Sequence, residues 1–336
     1  ARSVPAANNH RRSMKTATVH AQGHVPHPRD PCEERFTRRD WIVLLLLGPV
    51  LCLVFLIRVM LLLVVLLVTA MAALLPRRCL VRLLPILARL LFVAFGVWPG
   101  CIEVHGKQVD VPTIVVAPHC GIMEAIVFLC VARPPPVPVM LEAYAKLPVV
   151  KTLFAALHGL AVPLKAAGTL AEFRENCTQT GDGGQPSGRT AAVRDAIKQY
   201  KATWQPGQPP LGILPEGTTT NGRVLVKFFT GAFDGGGAIQ PILVQFPFRR
   251  RNAAAWLRGG LGDYILSILL NPWQRVVITF LPATQPQTLE EEADPAAFAE
   301  RVRFDMASAC SLPLSDYTAK MLRDEDRMIQ PNTRIG

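Results

Sequence analysis

The chain has 336 residues, 50% of them hydrophobic and only 18% charged, and a formal net charge of +11. Its mean hydropathy of +0.27 exceeds what suits a soluble domain, in which about 25% of residues are charged. A disordered chain would be poor in aliphatics, a coiled coil would not hold 29 Pro and 24 Gly, and a polytopic transporter would repeat its apolar run.

Residues 1–40 are rich in His, Arg, Pro and Asn and show no apolar period. They are expected to be disordered. Trp41–Leu75 is apolar except for Arg58. As one helix it would run about 52 Å, well past a hydrocarbon core of about 30 Å. It admits a single tilted span, or two short helices that enter and leave one leaflet. Arg35, Arg38 and Arg39 precede the run, and Arg77, Arg78 and Arg82 follow it. Positive charge on both flanks places both ends on the cytosolic side and favours the pair, bent at Gly48-Pro49 or near Arg58. The run starts too late and is too long for a signal-peptide core, so it is expected to remain in the mature protein. Its basic flanks favour anionic lipid as a partner, at about 1 kcal/mol per residue. No interleaved aromatic and basic face supports nucleic-acid binding. Cys79–Phe95 follows with Leu80, Leu83, Leu84, Leu87, Leu90 and Leu91 at helical spacing, the pattern of an interfacial amphipathic helix. Residues 41–99 are therefore expected to form the anchor.

From Gly100 short apolar strands alternate with helical stretches. The strands are expected at Thr113–Ala117, Val137–Leu141, Ala161–Lys165, Leu211–Pro215, Val224–Phe229, Ala238–Phe246 and Arg275–Pro282. The helices are expected after Gly121, over Tyr144–His158, Gly188–Tyr200, Ala254–Leu270 and Asp294–Cys310, the last capped by Asp294 with Pro295 at its first position. Gly168–Ser187 reads as a polar loop. This alternation predicts an α/β domain over 100–320, a mixed sheet flanked by helices, with a tail over 321–336. Eight cysteines show no CxxC spacing and seven histidines no HExxH. Reduced, cytosol-facing thiols are expected, and no metal.

Two segments carry candidate chemistry. In Ala117-Pro118-His119-Cys120-Gly121-Ile122-Met123-Glu124, Pro118 and Gly121 end the strand. His119 then lies in a turn and Glu124 in the first turn of a helix. A carboxylate that accepts the Nδ1 proton leaves Nε2 free as a base. In Leu214-Pro215-Glu216-Gly217-Thr218-Thr219-Thr220-Asn221-Gly222 a strand ends in a glycine turn followed by polar side chains. Gly217 permits close backbone approach, and hydroxyls and amides can gather around an anion. Cys120 invites a thiol nucleophile, but neighbours in a turn point apart. No GxSxG elbow occurs.

Together, in this order and behind an apolar anchor, the two segments resemble the glycerophospholipid acyltransferase superfamily. Its H-x4-D motif, F/L-P-E-G-T motif and Pro-containing strand match His119 to Glu124, Leu214 to Thr218 and Ile239-Gln240-Pro241-Ile242-Leu243. Within that superfamily, Glu216-Gly217-Thr218-Thr219-Thr220-Asn221 followed by Thr230-Gly231-Ala232-Phe233 resembles the EGTCTN and KPGAF stretches of the lysophosphatidylcholine acyltransferases. Leu312-Pro313-Leu314-Ser315-Asp316-Tyr317-Thr318 resembles their C-terminal part.

The resemblance implies that a lysophospholipid hydroxyl attacks the thioester of acyl-CoA, with acyl-CoA as co-substrate and no resident cofactor. It implies His119 as general base, Glu124 as its orienting acid, and Glu216, Gly217 and Thr218 around the acceptor. It further implies an endoplasmic reticulum membrane setting with the site facing the cytosol. Departures from the family pattern touch the cations. Glu124 stands for the family's Asp, and Lys165 for an Arg. Arg189 aligns only across a gap, and Phe229 replaces a basic residue that Lys227 and Arg223 are placed to replace. The acceptor is expected to be lysophosphatidylcholine. Lysophosphatidylethanolamine, lysophosphatidic acid and a catalytically weakened lipid-binding protein are the alternatives. No D-x-D-x-D-G loop occurs, so no calcium regulation is expected within this chain. Oligomeric state is not legible.

Overall fold

The computed structural model describes residues 25–30, 38–72, 74–141, 151, 154–155, 157–162, 188–248, 252–257 and 259–329. Helix α1 (Arg38–Ala72) is continuous through both Pro49 and Arg58. The helix is not broken into two at either place, as the expected pair would require. α1 is long and apolar enough to cross a membrane over Leu45–Ala72. Its partner is α2 (Arg77–Ala94), reached by a short link. Ala72 of α1 clusters with Leu80, Leu84 and Leu87 of α2. Those positions recur at helical spacing and leave Arg82 and Arg89 on the outer face.

Next come β1 (Ile102–His105), β2 (Thr113–Ala117), α3 (Met123–Val131), β3 (Val137–Leu141), β4 (Leu160–Val162), α4 (Gly188–Thr203), β5 (Leu211–Ile213) and β6 (Ile239–Gln245). They are followed by α5 (Leu261–Leu270), β7 (Val276–Phe280), α6 (Leu289–Ala293), α7 (Pro295–Cys310) and α8 (Ala319–Ile329). The strands form one sheet in the order β1-β7-β6-β2-β5-β3-β4. Every neighbouring pair is parallel except β6 with β7. This is the expected mixed α/β sheet flanked by helices. The strand β1 was not anticipated; it adds to the edge beside β7.

Central β2, of sequence TIVVA, is buried at every residue. Alternate side chains of a strand point to opposite faces. Ile114 and Val116 accordingly join Phe92 of α2, Met123 and Val127 of α3, and Ile268 of α5. Val115 and Ala117 join Phe298, Val302 and Met306 of α7 on the other face. Both faces are covered, as a mainly parallel sheet requires. The cap of α7 is as expected: Asp294 accepts from Ala296 N at 2.9 Å and Pro295 follows.

Four expectations change. Residues 224–229 form no strand; they carry one isolated bridge, Leu225 to Leu314. Their amides are taken by groups outside the sheet, among them Pro313 O, Tyr317 O and Pro215 O. The helix expected from Ala254 begins only at Leu261, because Asn252 Oδ1 accepts from Ala254 N and Trp256 N donates to Cys120 O. Residues 25–30, inside the stretch expected to be disordered, are packed on the α/β domain, and α8 runs across the expected boundary at 320. The expected helix over Tyr144–His158 and the loop at 168–187 lie largely outside the described residues.

Arg58 joins α1 to the rest. It is 1% exposed. Its guanidinium donates to Ala94 O at 2.9 Å, Leu269 O at 2.9 Å, Asn271 O at 2.8 Å and Ile268 O at 3.0 Å. These carbonyls lie at the C-terminal ends of α2 and α5, where a helix runs out of its own N–H donors; Ile268 O also accepts from Asn271 N at 3.1 Å. A cation there also meets the negative ends of two helix dipoles. The single charge of the apolar run is therefore a double C-terminal cap. Arg58→Met leaves those carbonyls unsatisfied, so it should cost about 3 kcal/mol, read as a lowered unfolding midpoint in detergent micelles. An unchanged midpoint would contradict the capping role.

Candidate active site

Parallel neighbours β2 and β5 carry both motifs to the same edge of the sheet. β2 ends at Ala117, and residues 118–122 turn into α3. Glu124, in the first turn of α3, is fully buried. Its Oε1 accepts from Cys120 N at 2.6 Å, and both oxygens accept from Gly121 N at 3.1–3.2 Å. The carboxylate thus satisfies amides that open the helix, where negative charge is also favoured. Gly121 is required by close approach: a Cβ there would strike the Tyr264 hydroxyl and Ala254 O.

His119 presents a partly exposed ring above this cap. Its Nδ1 lies 3.7 Å from Glu124 Oε2, with the side chain 18% exposed. That is ion-pair distance, outside hydrogen-bond range. The expected Nδ1 hydrogen bond is not formed, because Glu124 is already committed to the Cys120 and Gly121 amides. Nδ1 has no hydrogen-bond partner among the described residues.

The second motif holds the His119 backbone. Glu216 follows β5 and is fully buried. Its Oε2 accepts from His119 N at 2.6 Å, and its Oε1 from Val226 N at 3.1 Å. On the other side, Thr220 N donates to His119 O at 2.7 Å. Gly217 makes the turn between them possible. Its φ is +60°, and a Cβ there would run into the Phe229 ring. Phe229, where the family pattern has a cation, therefore packs on this glycine.

Two buried carboxylates bracket the histidine. Burial pushes the Glu216 carboxyl up to about 7, against the pull of the His119 and Val226 amides, with the Glu124 charge adding to the rise. Burial and the same two carboxylates push the Cys120 thiol well above its ordinary value. It is a poor thiolate.

The remaining candidates separate. Thr218 lies in the loop, but its hydroxyl accepts from Arg29. Arg223 sits over the Phe248 ring at 4.7 Å. It lines a groove of about 260 Å³ with Gly222, Gln245, Phe246, Pro247 and Phe248. The groove adjoins the histidine turn, since a Cβ on Gly222 would meet Cys120 Sγ at 2.9 Å. Lys227 instead faces Asp316 at 3.6 Å, both side chains being exposed. Arg189 stands in the first turn of α4; its side chain, like all of Lys165, lies outside the described residues. Thr220, Asn221 and Asn252 were not singled out individually. Asn221 is buried, and Asn252 Nδ2 donates to its carbonyl at 3.0 Å. The density of polar residues after Glu216 signalled Thr220 and Asn221; nothing local signalled Asn252.

Residues 101–245 match the family model Acyltransferase. That span holds His119, Glu124 and the whole Glu216–Gly222 turn. This segment is an acyltransferase-family domain. The lysophospholipid acyltransferase LPCAT4 of Xenopus tropicalis is 30% identical over 247 residues, covering 72% of this chain and 42% of that protein. Lysophosphatidylcholine acyltransferase 2 of Mus musculus is 30% identical over 244 residues, covering 70% and 39%. This chain thus spans about two fifths of the length of these relatives. The solved 1-acyl-sn-glycerophosphate (LPA) acyltransferase, PlsC, of Thermotoga maritima aligns over 77% of this chain and 95% of that one, at TM-score 0.45 and 16% identity.

The acyltransferase domain makes a pH prediction. A carboxyl whose folded pKa lies above its unfolded value binds its proton more tightly when folded. Stability from Glu216 is then present at low pH and lost as pH rises from about 4.5 to about 7. The unfolding midpoint of wild type relative to Glu216→Gln should therefore fall between pH 5 and 8. A flat or rising difference would contradict the buried, raised carboxyl.

Proposed function

We propose that this protein transfers an acyl group from acyl-CoA to the free hydroxyl of a lysophospholipid, with lysophosphatidylcholine as acceptor. The observation that carries the reading is a partly exposed imidazole whose backbone is held on both sides by the second motif. His119 takes the acceptor proton at Nε2 as the hydroxyl oxygen attacks the thioester carbonyl. The tetrahedral intermediate collapses, the carbon–sulfur bond breaks, and the imidazolium returns its proton to the departing CoA sulfur. No covalent enzyme intermediate is needed. Glu124, 3.7 Å from Nδ1, favours the imidazolium by its charge. A closing of about 0.5 Å would make the hydrogen bond, and such bonds often tighten only when substrate is bound.

In this reading Arg223 at the groove meets the substrate phosphates and Lys165, Arg189 and Lys227 add positive charge, while Gly217 and Thr218 shape the turn that holds His119. A guanidinium on an aromatic ring keeps its fork for phosphate oxygens. Helix α1 and the outer face of α2 seat the domain on the cytosolic leaflet of the endoplasmic reticulum. Expected at the bench is acylation of lysophosphatidylcholine by purified protein with labelled acyl-CoA, and a fall in turnover of about 10²–10⁴-fold in His119→Ala. Lysophosphatidylethanolamine and lysophosphatidic acid run beside it to read headgroup choice. Turnover in His119→Ala equal to wild type would overturn the reading.

A further inference from the structure

The polar turn after Glu216 is closed from outside by the short segment Val25–Asp30. Arg29 is 6% exposed although it lies in a Pro- and His-rich stretch. One guanidinium nitrogen donates to Thr219 O at 2.7 Å, Thr219 Oγ1 at 3.1 Å and Leu257 O at 3.3 Å. The other donates to Thr218 Oγ1 at 3.0 Å and pairs with Asp326 of α8 at 3.0 Å. The Thr219 hydroxyl in turn donates to Trp256 O. Asn221 grips the segment's backbone: Nδ2 donates to His27 O and Asp30 O, each at 3.0 Å, and its N–H to Pro28 O at 2.9 Å. His27 meets Glu325 of α8 at 3.0 Å and stands edge-on to the Tyr317 ring. Arg323 of the same helix donates to Gly217 O at 3.4 Å.

Thr218, Thr219 and Asn221 thus hold a strap and do not line an open anion cradle. The same turn carries Glu216 and Thr220, which hold the His119 backbone. A planar fork reaches Thr218, Thr219, Leu257 and Asp326 at once, which a lysine ammonium cannot do. We propose that Arg29 is a positioning residue of the active site, acting through Thr218 and Thr219 to keep the Glu216–Thr220 turn, and with it His119, in register. This rests on the acyl-transfer function above.

The test uses the full chain, with Arg29→Ala and Arg29→Lys beside wild type. Arg29→Ala should lower kcat, per folded enzyme, about tenfold or more, since displacement of catalytic groups by about 1 Å costs of that order or beyond. The KM for acyl-CoA should stay within about threefold, as the proposed role of Arg29 is to hold the turn and not to bind the donor. Added guanidinium ion should restore part of the Arg29→Ala rate, and Arg29→Lys should recover less than guanidinium does. Hydrogen exchange of the peptide spanning 214–222 should quicken in Arg29→Ala. A residue that only stabilises the fold would lower the melting temperature with kcat per folded enzyme intact and no rescue; that outcome overturns the proposal, as does unchanged exchange. If wild type acylates no acceptor, the function above fails, while the exchange measurement still decides the strap.

Discussion

Everything at the site depends on how one backbone unit is held. His119 has its N–H bound by the Glu216 carboxylate and its C=O by the Thr220 amide. Those partners lie about a hundred positions along the chain and arrive on the neighbouring parallel strand. Rotation of the 118–122 turn would break both bonds at once. A buried carboxylate left with unpaired amides beside it is costly, so the two motifs act as one unit. Glu124 completes it from below by capping α3. The Nδ1 atom of His119 has no hydrogen-bond partner among the described residues, and Glu124 faces it at 3.7 Å.

The rest of the fold serves to bring those strand ends together beside the apolar helices. β2 is packed from both faces, by α2, α3 and α5 on one side and α7 on the other. α1 is tied to this body through Arg58, which closes the C-terminal ends of α2 and α5 together. A helix fastened by three hydrogen bonds to the end of α5 and a fourth to the end of α2 cannot tilt freely against the domain. Helix α1 and the histidine turn are therefore linked through one packed frame, with α2 and α3 between them.

Much of this was legible in the residues. TIVVA announced a buried strand, Asp294-Pro295 announced a helix start, and the His119–Glu124 and Glu216–Gly222 segments, singled out together, do meet. What escaped was whatever depends on distant partners. Arg58 looked like a place to bend, because nothing local shows that two helix ends will need its donors. Arg29 lay in a stretch with no apolar period, yet a single buried cation and Asn221 fix it in place. Residues 224–229 have the composition of a strand, but their amides are claimed by Glu216, Pro215, Pro313 and Tyr317. Glu124 was expected to bind the imidazole. Its two oxygens instead meet the amides of Cys120 and Gly121, a competition that spacing alone does not display.

The central claim is that Glu216 works by holding the histidine backbone. The most direct measurement is the turnover number of Glu216→Ala, per folded enzyme, at saturating acyl-CoA and lysophosphatidylcholine. With His119 released on one side, turnover should drop about a hundredfold while the KM for acyl-CoA moves little. Turnover within twofold of wild type would show that the histidine keeps its place without Glu216, and would contradict the account.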